Sequence, residues 1–462
     1  MVTHRYVGIV MGLLMLLWFL SGVGMLFIRW PELGEADRAA GLPAVTWTQC
    51  CNLGLVQDVQ QVTSATVEDL AGRPVLRFDG ETLDLTTGEL LHHVTVAQAA
   101  IVAQGYAHAH GLHGTPGMPQ RVERDQWTVT GYFNKKRPFL LFHFNDWGRT
   151  DIYVSEHTGQ VAQVVNRWDR FLNWLGPIPH WLYPTVLRAD TKLWTQVVVW
   201  TSLIGTFLTL TGLYLGIVAW RPWADRRLTP FRGLMAWHHL AGLAAGLLTL
   251  TWVASGLVSM NPWGLLEGGD DPRAQQVAFG VGDLRQAMLA AKAAGVTARQ
   301  LKAAPFDGRV YLMADGVRLD AAARPAPLAL ADLAAAAKRL GPAREAGLLR
   351  REDQYYRGHH EPVSLPVYRV IATDGVRFYL DPKSGRLLGA IDANSRGYRW
   401  LFEGLHRLDF IDGADRGVGW AAAMVALLAF AGLGVATGVW LGWRRATSDI
   451  AGLFKRKAPK LG

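Results

Sequence analysis

The chain has 462 residues, half of them hydrophobic, and a formal net charge of +9, which allows several domains together with membrane spans. It contains only two cysteines and no C-x-x-C-H motif, which excludes a covalently attached haem. No P-loop is present, and the nearest dinucleotide-type glycines, Gly280 and Gly282, lack the third glycine of that motif. The sequence therefore gives no site for ATP, NAD or flavin.

Four hydrophobic segments, at about 6–29, 194–220, 234–260 and 419–443, are long enough to cross a bilayer. The first has a long apolar run and no small-residue cleavage site before Arg29. We therefore interpret it as a retained helix and not as a cleaved signal peptide.

The excess positive charge is confined to the segments 1–5, 221–235 and 444–462, which hold 11 lysines and arginines against two aspartates. Their net charge of +9 equals that of the whole chain, so the remaining segments are neutral together. The positive-inside rule makes these three segments cytoplasmic and places 30–193 and 261–418 outside. The basic charge is thus a topology signal and gives no support for nucleic-acid binding.

Two ungapped alignments of the chain with itself predict an internal duplication. The first alignment matches His4 with His238, and the second matches His180 with His406. Further matched pairs are Gly8/Gly242, Gly12/Gly246, Trp18/Trp252, Ser21/Ser255 and Gly22/Gly256 in the first alignment, and Arg170/Arg396, Trp174/Trp400, Trp194/Trp420, Thr211/Thr437 and Gly212/Gly438 in the second. Each half begins and ends on the cytoplasmic side, so the repeats are parallel and predict a pseudo-twofold axis along the membrane normal.

Each external segment is expected to fold as an α+β domain. Alternating residues around an Asp-Gly turn predict hairpins at 74–84 and 309–320, and alanine-rich runs predict helices at about 95–111 and 328–340. Further strands are predicted at 126–133, 139–145 and 151–155 in the first segment, and at 353–356, 366–372 and 376–380 in the second. This order of elements is typical of antiparallel strands with helices on one side.

The repeated histidines are the strongest functional signal. The pseudo-twofold axis places His4 opposite His238 and His180 opposite His406, and a pair of neutral imidazoles supplies both axial ligands of a haem iron. His239 is an alternative to His238, because only one of two adjacent helical residues can point at a given iron. The competing interpretation is that these are interfacial histidines without a ligand.

His180 and His406 precede, by equal intervals, the tryptophans Trp194 and Trp420 that open the next membrane segments. A continuous helix over that interval would raise each histidine about 21 Å above its segment. Bends at Pro184 and in the stretch 413–417 would instead return them to the membrane face. The alternative here is an amphipathic surface helix whose histidine and tryptophan anchor in the head groups.

Glycines follow the inner histidines on the same helical face. Gly8 and Gly12 lie one and two turns after His4, and Gly242 and Gly246 lie in the matching places after His238. Their missing side chains leave room for a flat macrocycle or for the close approach of another helix.

These features resemble a known family over nearly the whole chain, namely bacterial inner-membrane proteins with PepSY domains and PepSY-associated transmembrane helices. The resemblance rests on the H-x-x-x-G-x-x-x-G helix starts at His4 and His238. It also rests on the strand-and-turn segments Tyr153–Val161 and Tyr379–Leu387, and on the TG-containing helix end at 211–216. Within that family the chain is most similar to the di-haem ferric-siderophore reductases.

The resemblance implies four transmembrane helices in a parallel duplication and two PepSY-like periplasmic domains. The expected boundaries are a first transmembrane helix at 1–29, a periplasmic domain at 30–169, a membrane-proximal segment with the second helix at 170–220, a cytoplasmic loop at 221–233, a third helix at 234–260, a second periplasmic domain at 261–395, a membrane-proximal segment with the fourth helix at 396–443 and a basic cytoplasmic tail at 444–462.

The expected function is transfer of electrons across the inner membrane through two non-covalent b-type haems. One haem is expected on His4 and His238 and the other on His180 and His406. The donor would be a quinol or a cytoplasmic reductase. The resemblance implies that the acceptor is a periplasmic ferric siderophore, whose reduction releases Fe(II); copper or another chelate is an alternative acceptor. A non-enzymatic permease and a PepSY-type binding or regulatory protein are the alternative functions.

Cys50 and Cys51 are adjacent and lie in the first external segment. Neighbouring Cα atoms are only about 3.8 Å apart, closer than ordinary disulfides place them. The sequence therefore favours separate thiols over a bridge between them.

Overall fold

The computed structural model describes residues 2–47, 50, 51, 53, 56, 64–220, 228–269, 271, 273, 284–358, 363–410 and 417–457. The chain divides into two compact units, each built from both halves of the sequence. The first, here called the helix unit, comprises Met1–Trp30, Phe171–Glu267 and Gly397–Gly462. The second, the sheet unit, comprises Pro31–Arg170 and Gly268–Arg396.

The helices are numbered in chain order. They are α1 Val2–Met25, α2 Glu35–Ala40, α3 Val96–Ala109, α4 Arg167–Leu172, α5 Pro177–His180, α6 Thr185–Arg188, α7 Thr191–Ala219, α8 Gly233–Ser259, α9 Leu284–Ala293, α10 Leu330–Ala337, α11 Ala393–Tyr398, α12 Leu405–Arg407 and α13 Val418–Lys457. Short 3-10 helices occur at Gly131–Lys136, Pro262–Gly264 and Lys338–Leu340, and a π-helical turn at Arg399–Gly404.

Four helices of the described residues, α1, α7, α8 and α13, are long and apolar enough to cross a membrane. This confirms the prediction of four membrane-length helices. They begin slightly before the predicted segments, and α13 continues past the predicted end at 443 as far as Lys457. Such long uninterrupted helices form because their residues are apolar on every side and no proline interrupts them.

The four long helices pack as a bundle. α1 packs along α7 and α13, and α8 packs along the same two helices. The rings of Phe19 and Trp252, on α1 and α8, meet edge to face with centroids 5.8 Å apart. Gly12 and Gly246 allow this packing, because a Cβ added at either would clash with a side chain of a neighbouring helix. These two glycines therefore serve helix approach, one of the two roles predicted for them.

Three antiparallel sheets form the sheet unit. The strands are β1 Ala65–Leu70, β2 Arg73–Phe78, β3 Glu81–Asp84, β4 Gln120–Val122, β5 Phe139–His143, β6 Asp151–Ser155, β7 Val161–Val165, β8 Gln300–Phe306, β9 Arg309–Ala314, β10 Val317–Arg318, β11 Ala343–Leu349, β12 Val367–Ala372, β13 Arg377–Leu380 and β14 Leu387–Ile391. The sheet orders are β10-β9-β8-β1-β2-β3, β4-β5-β6-β7 and β11-β12-β13-β14.

The six-stranded sheet takes three strands from each half of the chain. Its centre is the antiparallel pair β1–β8, in which Val67 lies opposite Leu301. The two predicted Asp-Gly hairpins flank this pair as β2–β3 and β9–β10, which confirms both. In each turn the aspartate and the glycine have positive φ, as a two-residue hairpin turn of this type requires.

Two of the predicted strands are wrong. The segments 126–133 and 353–356 contain no strand, although the other predicted strands are present as β5, β6, β12 and β13. The reason is local, since Asp125 accepts hydrogen bonds from the backbone N–H groups of Trp127 and Thr128. Asp353 does the same for two residues that follow it. Such turns of the aspartate side chain onto its own backbone compete with strand pairing.

The expectation of separate thiols is also wrong, because Cys50 and Cys51 form a disulfide bridge. Both residues are partly buried against a hydrophobic core that includes Trp47, Leu53 and Met288. The bridge is therefore part of the packing of the sheet unit.

A buried ion cluster stabilises the first half of the six-stranded sheet. Glu68 is fully buried and is paired with Arg77 and with Arg38, the latter at 3.2 Å. Burial opposes the charge of Glu68, but the two guanidinium groups outweigh it and lower the pKa of the carboxyl to about 2.

We expect Glu68→Gln to destabilise the sheet unit by about 3–5 kcal/mol, because it leaves Arg77 without its counter-charge and Arg38 with only the exposed Glu35. Since the folded pKa lies below the usual value of 4.5, the stabilisation is complete above that pH and is lost as pH falls toward 2. Urea unfolding from pH 7 to pH 2 would reveal this loss in the wild type and not in the variant. Glu35→Gln, an exposed partner of Arg38, is the control and should change little.

Candidate functional site

All four predicted histidines lie in the helix unit and form two pairs. His4 lies near the start of α1 and His238 near the start of α8, and these two side chains are within electrostatic range of each other. We call them the inner pair. His180 ends α5 and His406 lies on α12, and we call these the outer pair.

The outer pair lies against the later turns of α1 and α8. The Nδ1 atom of His180 is 3.2 Å from the Ser21 hydroxyl, and that of His406 is 3.0 Å from the Ser255 hydroxyl. Ser21 shares α1 with one member of the inner pair, and Ser255 occupies the matching position of α8. At about 1.5 Å per residue, the inner and outer pairs are therefore about 25 Å apart along two helices that run in the same direction.

His180 contacts Ser21 on α1. This is expected if the chain bends between His180 and Trp194, and it is not expected if one continuous helix joins them. In the connection after α5, Leu182 has a φ of 52°, and Pro184, where the bend was predicted, directly precedes α6. The Trp194 indole closes the bend by donating a hydrogen bond of 2.9 Å to the carbonyl of Trp181. The corresponding bend expected at 413–417 before α13 lies outside the described residues, apart from residue 417.

The inner pair makes the same kind of contact with α7 and α13. His4 Nδ1 is 3.4 Å from the Thr211 hydroxyl, and His238 Nδ1 is 3.3 Å from the Thr437 hydroxyl and 3.1 Å from the carbonyl of Gly434. Each of the four histidines thus has a serine or threonine hydroxyl at Nδ1.

These hydroxyls determine which ring nitrogen carries the proton. Thr211 and Thr437 donate their hydroxyl hydrogens to helix carbonyls 2.8 and 2.7 Å away, and Ser21 and Ser255 do likewise. A hydroxyl whose hydrogen is engaged in this way is available as an acceptor, and this favours the tautomer in which the imidazole Nδ1–H donates to it. The lone pair of every ring is then on Nε2, which is the arrangement of a histidine held ready for a metal.

The spacing of the outer rings suits one metal ion between them. Their centroids are 6.1 Å apart, with an angle of 67° between the ring planes. The two imidazoles are therefore close enough to act on one group.

Both outer imidazoles are neutral at pH 7. Burial lowers the pKa of His180 to about 4. Burial, together with the neighbouring His180 and Arg407, lowers the pKa of His406 to about 3. The neutral form is the one that offers a lone pair to a metal.

The structure distinguishes His238 from its neighbour His239. His239 is buried, and its Nε2 donates a hydrogen bond of 2.9 Å to the carbonyl of Gly216. His239 is thus hydrogen-bonded at Nε2, whereas the rings of the inner and outer pairs are hydrogen-bonded at Nδ1. The geometry therefore favours His238 as the partner of His4, in agreement with the sequence alignment.

Glycines lie on α1 and α8 near both pairs of rings, and one of them, Gly242, faces open space. A Cβ added to Gly22 or Gly256 would lie 3.6 or 3.8 Å from the nearest atom of an outer-pair ring. One added to Gly242 would meet nothing within 4 Å, and one added to Gly8 only a Leu208 methyl at 3.8 Å. At Gly12 and Gly246, by contrast, an added Cβ would clash with a side chain of a neighbouring helix.

The two imidazoles of each pair match the number of ligands that a haem iron takes from a protein. Within the part of the chain that the structure describes, no group of three or more histidine, cysteine or carboxylate side chains is placed to hold a metal. Each pair thus offers two protein ligands, whereas structural and catalytic ions in proteins usually take three or four. A porphyrin supplies the remaining four itself, and the residues present therefore fit that group.

If the outer pair holds a haem, Ser255→Ala should weaken that binding by about 10–100-fold, because Nδ1 of His406 loses the hydroxyl that orients it. The measurement is the rate of haem transfer to an excess of an apo haem-binding protein. Ser259→Ala is a matched control, since Ser259 lies one turn later on α8 and its hydroxyl bonds only a helix carbonyl. Equal transfer rates in the two variants would contradict the orienting role.

Comparisons with known proteins do not assign the chain to a family. No protein-family model matches it, and no curated protein matches it either. The resemblance described from the sequence therefore stays a prediction.

The hydroxyl partners are the functional residues that the sequence had not assigned. Ser21/Ser255 and Thr211/Thr437 already stood out as matched pairs in the two alignments. Each repeated histidine contacts a repeated serine or threonine that lies on another helix. The two sets of repeats were visible in the sequence, but nothing in the sequence connected them.

Proposed function

We propose that this chain is an inner-membrane di-haem b oxidoreductase that carries electrons across the membrane and reduces a periplasmic ferric siderophore. The observation that supports it best is the pair of two-histidine sites at opposite ends of one helix bundle. In both sites each Nδ1 contacts a hydroxyl, and no side chain or carbonyl of the described residues bonds Nε2. Two sites about 25 Å apart match the hydrocarbon thickness of about 30 Å.

The residues of the chain have separate tasks in this proposal. His4 and His238 would hold one haem, and His180 and His406 the other. When bound, the two haems supply one-electron iron chemistry at the two ends of the bundle. The four hydroxyl residues fix the ring orientations, while buried aromatic and aliphatic side chains between the pairs keep water out of the bundle centre.

The substrate would be an Fe(III) chelate outside the membrane. Each Fe(III) accepts one electron and becomes Fe(II), a softer ion that hard oxygen donors hold less strongly, so reduction releases the metal. The electron would come from a quinol or a cytoplasmic reductase. The four helices place no acidic residue in the predicted apolar segments, and this favours electron transfer over an ion-coupled permease.

The orientation follows from the charge distribution. The basic segments 1–5, 221–235 and 444–462 would face the cytoplasm, so the inner pair lies on the donor side and the outer pair on the acceptor side. The sheet unit would then be periplasmic, with its two halves as PepSY-like domains of a duplicated chain. The shared directions of α1 and α8, and the flanking Asp-Gly hairpins of the six-stranded sheet, support the duplication.

The decisive test measures haem and electron transfer in the wild type. Detergent-purified protein is assayed by pyridine haemochrome, and then placed in liposomes with a reductant inside and a ferric chelate with an Fe(II) indicator outside. Two b-type haems per chain and Fe(II) formation outside would support the proposal. Well-folded protein without haem would reject it and leave the permease or the PepSY-type binding function.

Gly242→Ala separates a haem site from a simple helix bundle. In an apoprotein bundle the substitution should be neutral or slightly stabilising, because alanine favours helix by about 1 kcal/mol and nothing lies within 4 Å of the new methyl group. If a macrocycle occupies that space, the same variant should lose haem affinity by about tenfold or more. Haem titration of the apoprotein gives the answer. Gly434→Ala, whose Cβ would lie 3.5 Å from Ala241, is the control.

A further inference from the structure

The sheet unit contains a cavity of about 720 Å³ between the β8–β10 strands and α10. Its lining residues all belong to the segment 306–339, so the cavity lies within one unit and is remote in sequence from the histidine pairs. The volume falls in the range of about 300–1,000 Å³ typical of small-molecule sites.

The wall of the cavity has an excess of positive charge. It contains four arginines and three aspartates. Arg339 is paired with Asp307, and Arg324 with Asp320 at 3.2 Å. The other two arginines, Arg309 and Arg318, have no carboxylate partner among the described residues, and the third aspartate, Asp332 on α10, leaves the wall with a net charge of +1.

Arg318 is a buried cation whose charge is not neutralised. It is only 9% exposed, and its guanidinium lies 3.9 Å from the centroid of the Tyr311 ring and 5.8 Å from that of Phe306. One terminal nitrogen donates to the carbonyl of Ala326, while Nε is buried without a hydrogen-bond partner. A desolvated cation with only aromatic faces and a carbonyl around it is costly, and an anion in the cavity would remove that cost.

The matching hairpin in the first half of the chain differs in these features. Alignment of the two Asp-Gly turns places Val75 at the position of Tyr311 and Thr82 at that of Arg318. Thr82 accepts a hydrogen bond from Arg77, which a buried carboxylate neutralises. The unneutralised arginine and its tyrosine therefore belong to the second half alone.

We propose that this cavity binds an anionic Fe(III) chelate, with its charged oxygen donors toward Arg318 and Arg309. The inference rests on the proposed function, because it names the class of the substrate. Three catecholate arms around Fe(III) give a trianionic complex with flat aromatic surfaces, whereas three hydroxamate arms give a neutral one. Guanidinium groups pair with adjacent anionic oxygens and stack on flat rings, so they select the first class.

The test measures binding of the gallium(III) complex of a tris-catecholate chelator to the full chain in detergent, by calorimetry. Gallium(III) is not reduced, so binding is measured without electron transfer. We expect the wild type to bind this probe and to bind the neutral tris-hydroxamate complex far more weakly. Arg318→Met should weaken binding by about tenfold or more. Arg309→Gln should also weaken binding, and because Arg309 is exposed, this second variant leaves the hydrophobic core unchanged.

Arg73→Met is the matched control, since Arg73 occupies the place of Arg309 in the first hairpin and pairs with Asp84 at 3.3 Å. It should bind like the wild type. Absence of binding to the wild type, equal affinity for the neutral complex, or wild-type affinity in both cavity variants would each overturn the assignment. Failure of the electron-transfer proposal would instead appear as missing haem, with gallium-complex binding unchanged.

Discussion

Replacing His180 by alanine is expected to lower the haem content from two per chain to one and to stop reduction of an external ferric chelate. The ring of His180 is 6.1 Å from that of His406, and His406 alone gives one axial ligand. Loss of a residue that merely orients a ligand costs about 10–100-fold in metal affinity, so loss of the ligand itself should exceed that range. The haemochrome assay and the liposome assay measure the two effects.

The inner haem should remain and should still be reduced from the cytoplasmic side, because its ligands lie about 25 Å away on the same helices. Retention of the inner haem would show that the variant is folded and has lost only its outer site. A variant that misfolds as a whole would lose both haems. His239→Ala is the control, since that ring bonds a backbone carbonyl, and it should keep both haems. Retention of two haems in His180→Ala would remove the outer pair from the proposal.

The sequence predicted those parts of the fold whose signals are local. Membrane-length helices follow from continuous apolar composition, and the two hairpins follow from Asp-Gly turns between alternating residues. β1 pairs with β8, which comes from the other half of the chain. A pairing between such distant strands is not predicted by any short-range sequence pattern. The segment after Asp125 alternates like a strand, but its aspartate side chain bonds the following backbone instead.

The candidate site was predictable only in part, for a related reason. Repetition identified His4, His238, His180 and His406, since a histidine kept in two copies stands out from its surroundings. What each ring touches depends on tertiary contacts between helices, so the hydroxyl partners remained unassigned. The conformation of Leu182 was not predictable either. Its φ is positive, a conformation that a sequence signals only when the residue is glycine.

Gly438→Ala is expected to remove the inner haem while leaving the outer one in place. A Cβ at residue 438 would lie 2.6 Å from Cε1 and 3.1 Å from Nδ1 of His238, much closer than non-bonded carbon and nitrogen atoms approach. The imidazole would have to swing away from the Thr437 hydroxyl and the Gly434 carbonyl. An imidazole turned from its position could no longer hold the haem that His4 and His238 would bind together.

Gly212→Ala should have the same effect through His4, because its Cβ would lie 2.7 Å from that ring. Gly434→Ala lies one turn before Gly438 on α13 and meets only an ordinary contact, so it should keep both haems. The optical spectrum of the single remaining haem, compared with that of His180→Ala, then assigns each absorption band to one site. Wild-type haem content in both Gly212→Ala and Gly438→Ala would show that the inner rings are free to move and hold no iron. Loss of the inner haem in both variants, with the outer haem retained, would show that the inner site depends on both His4 and His238.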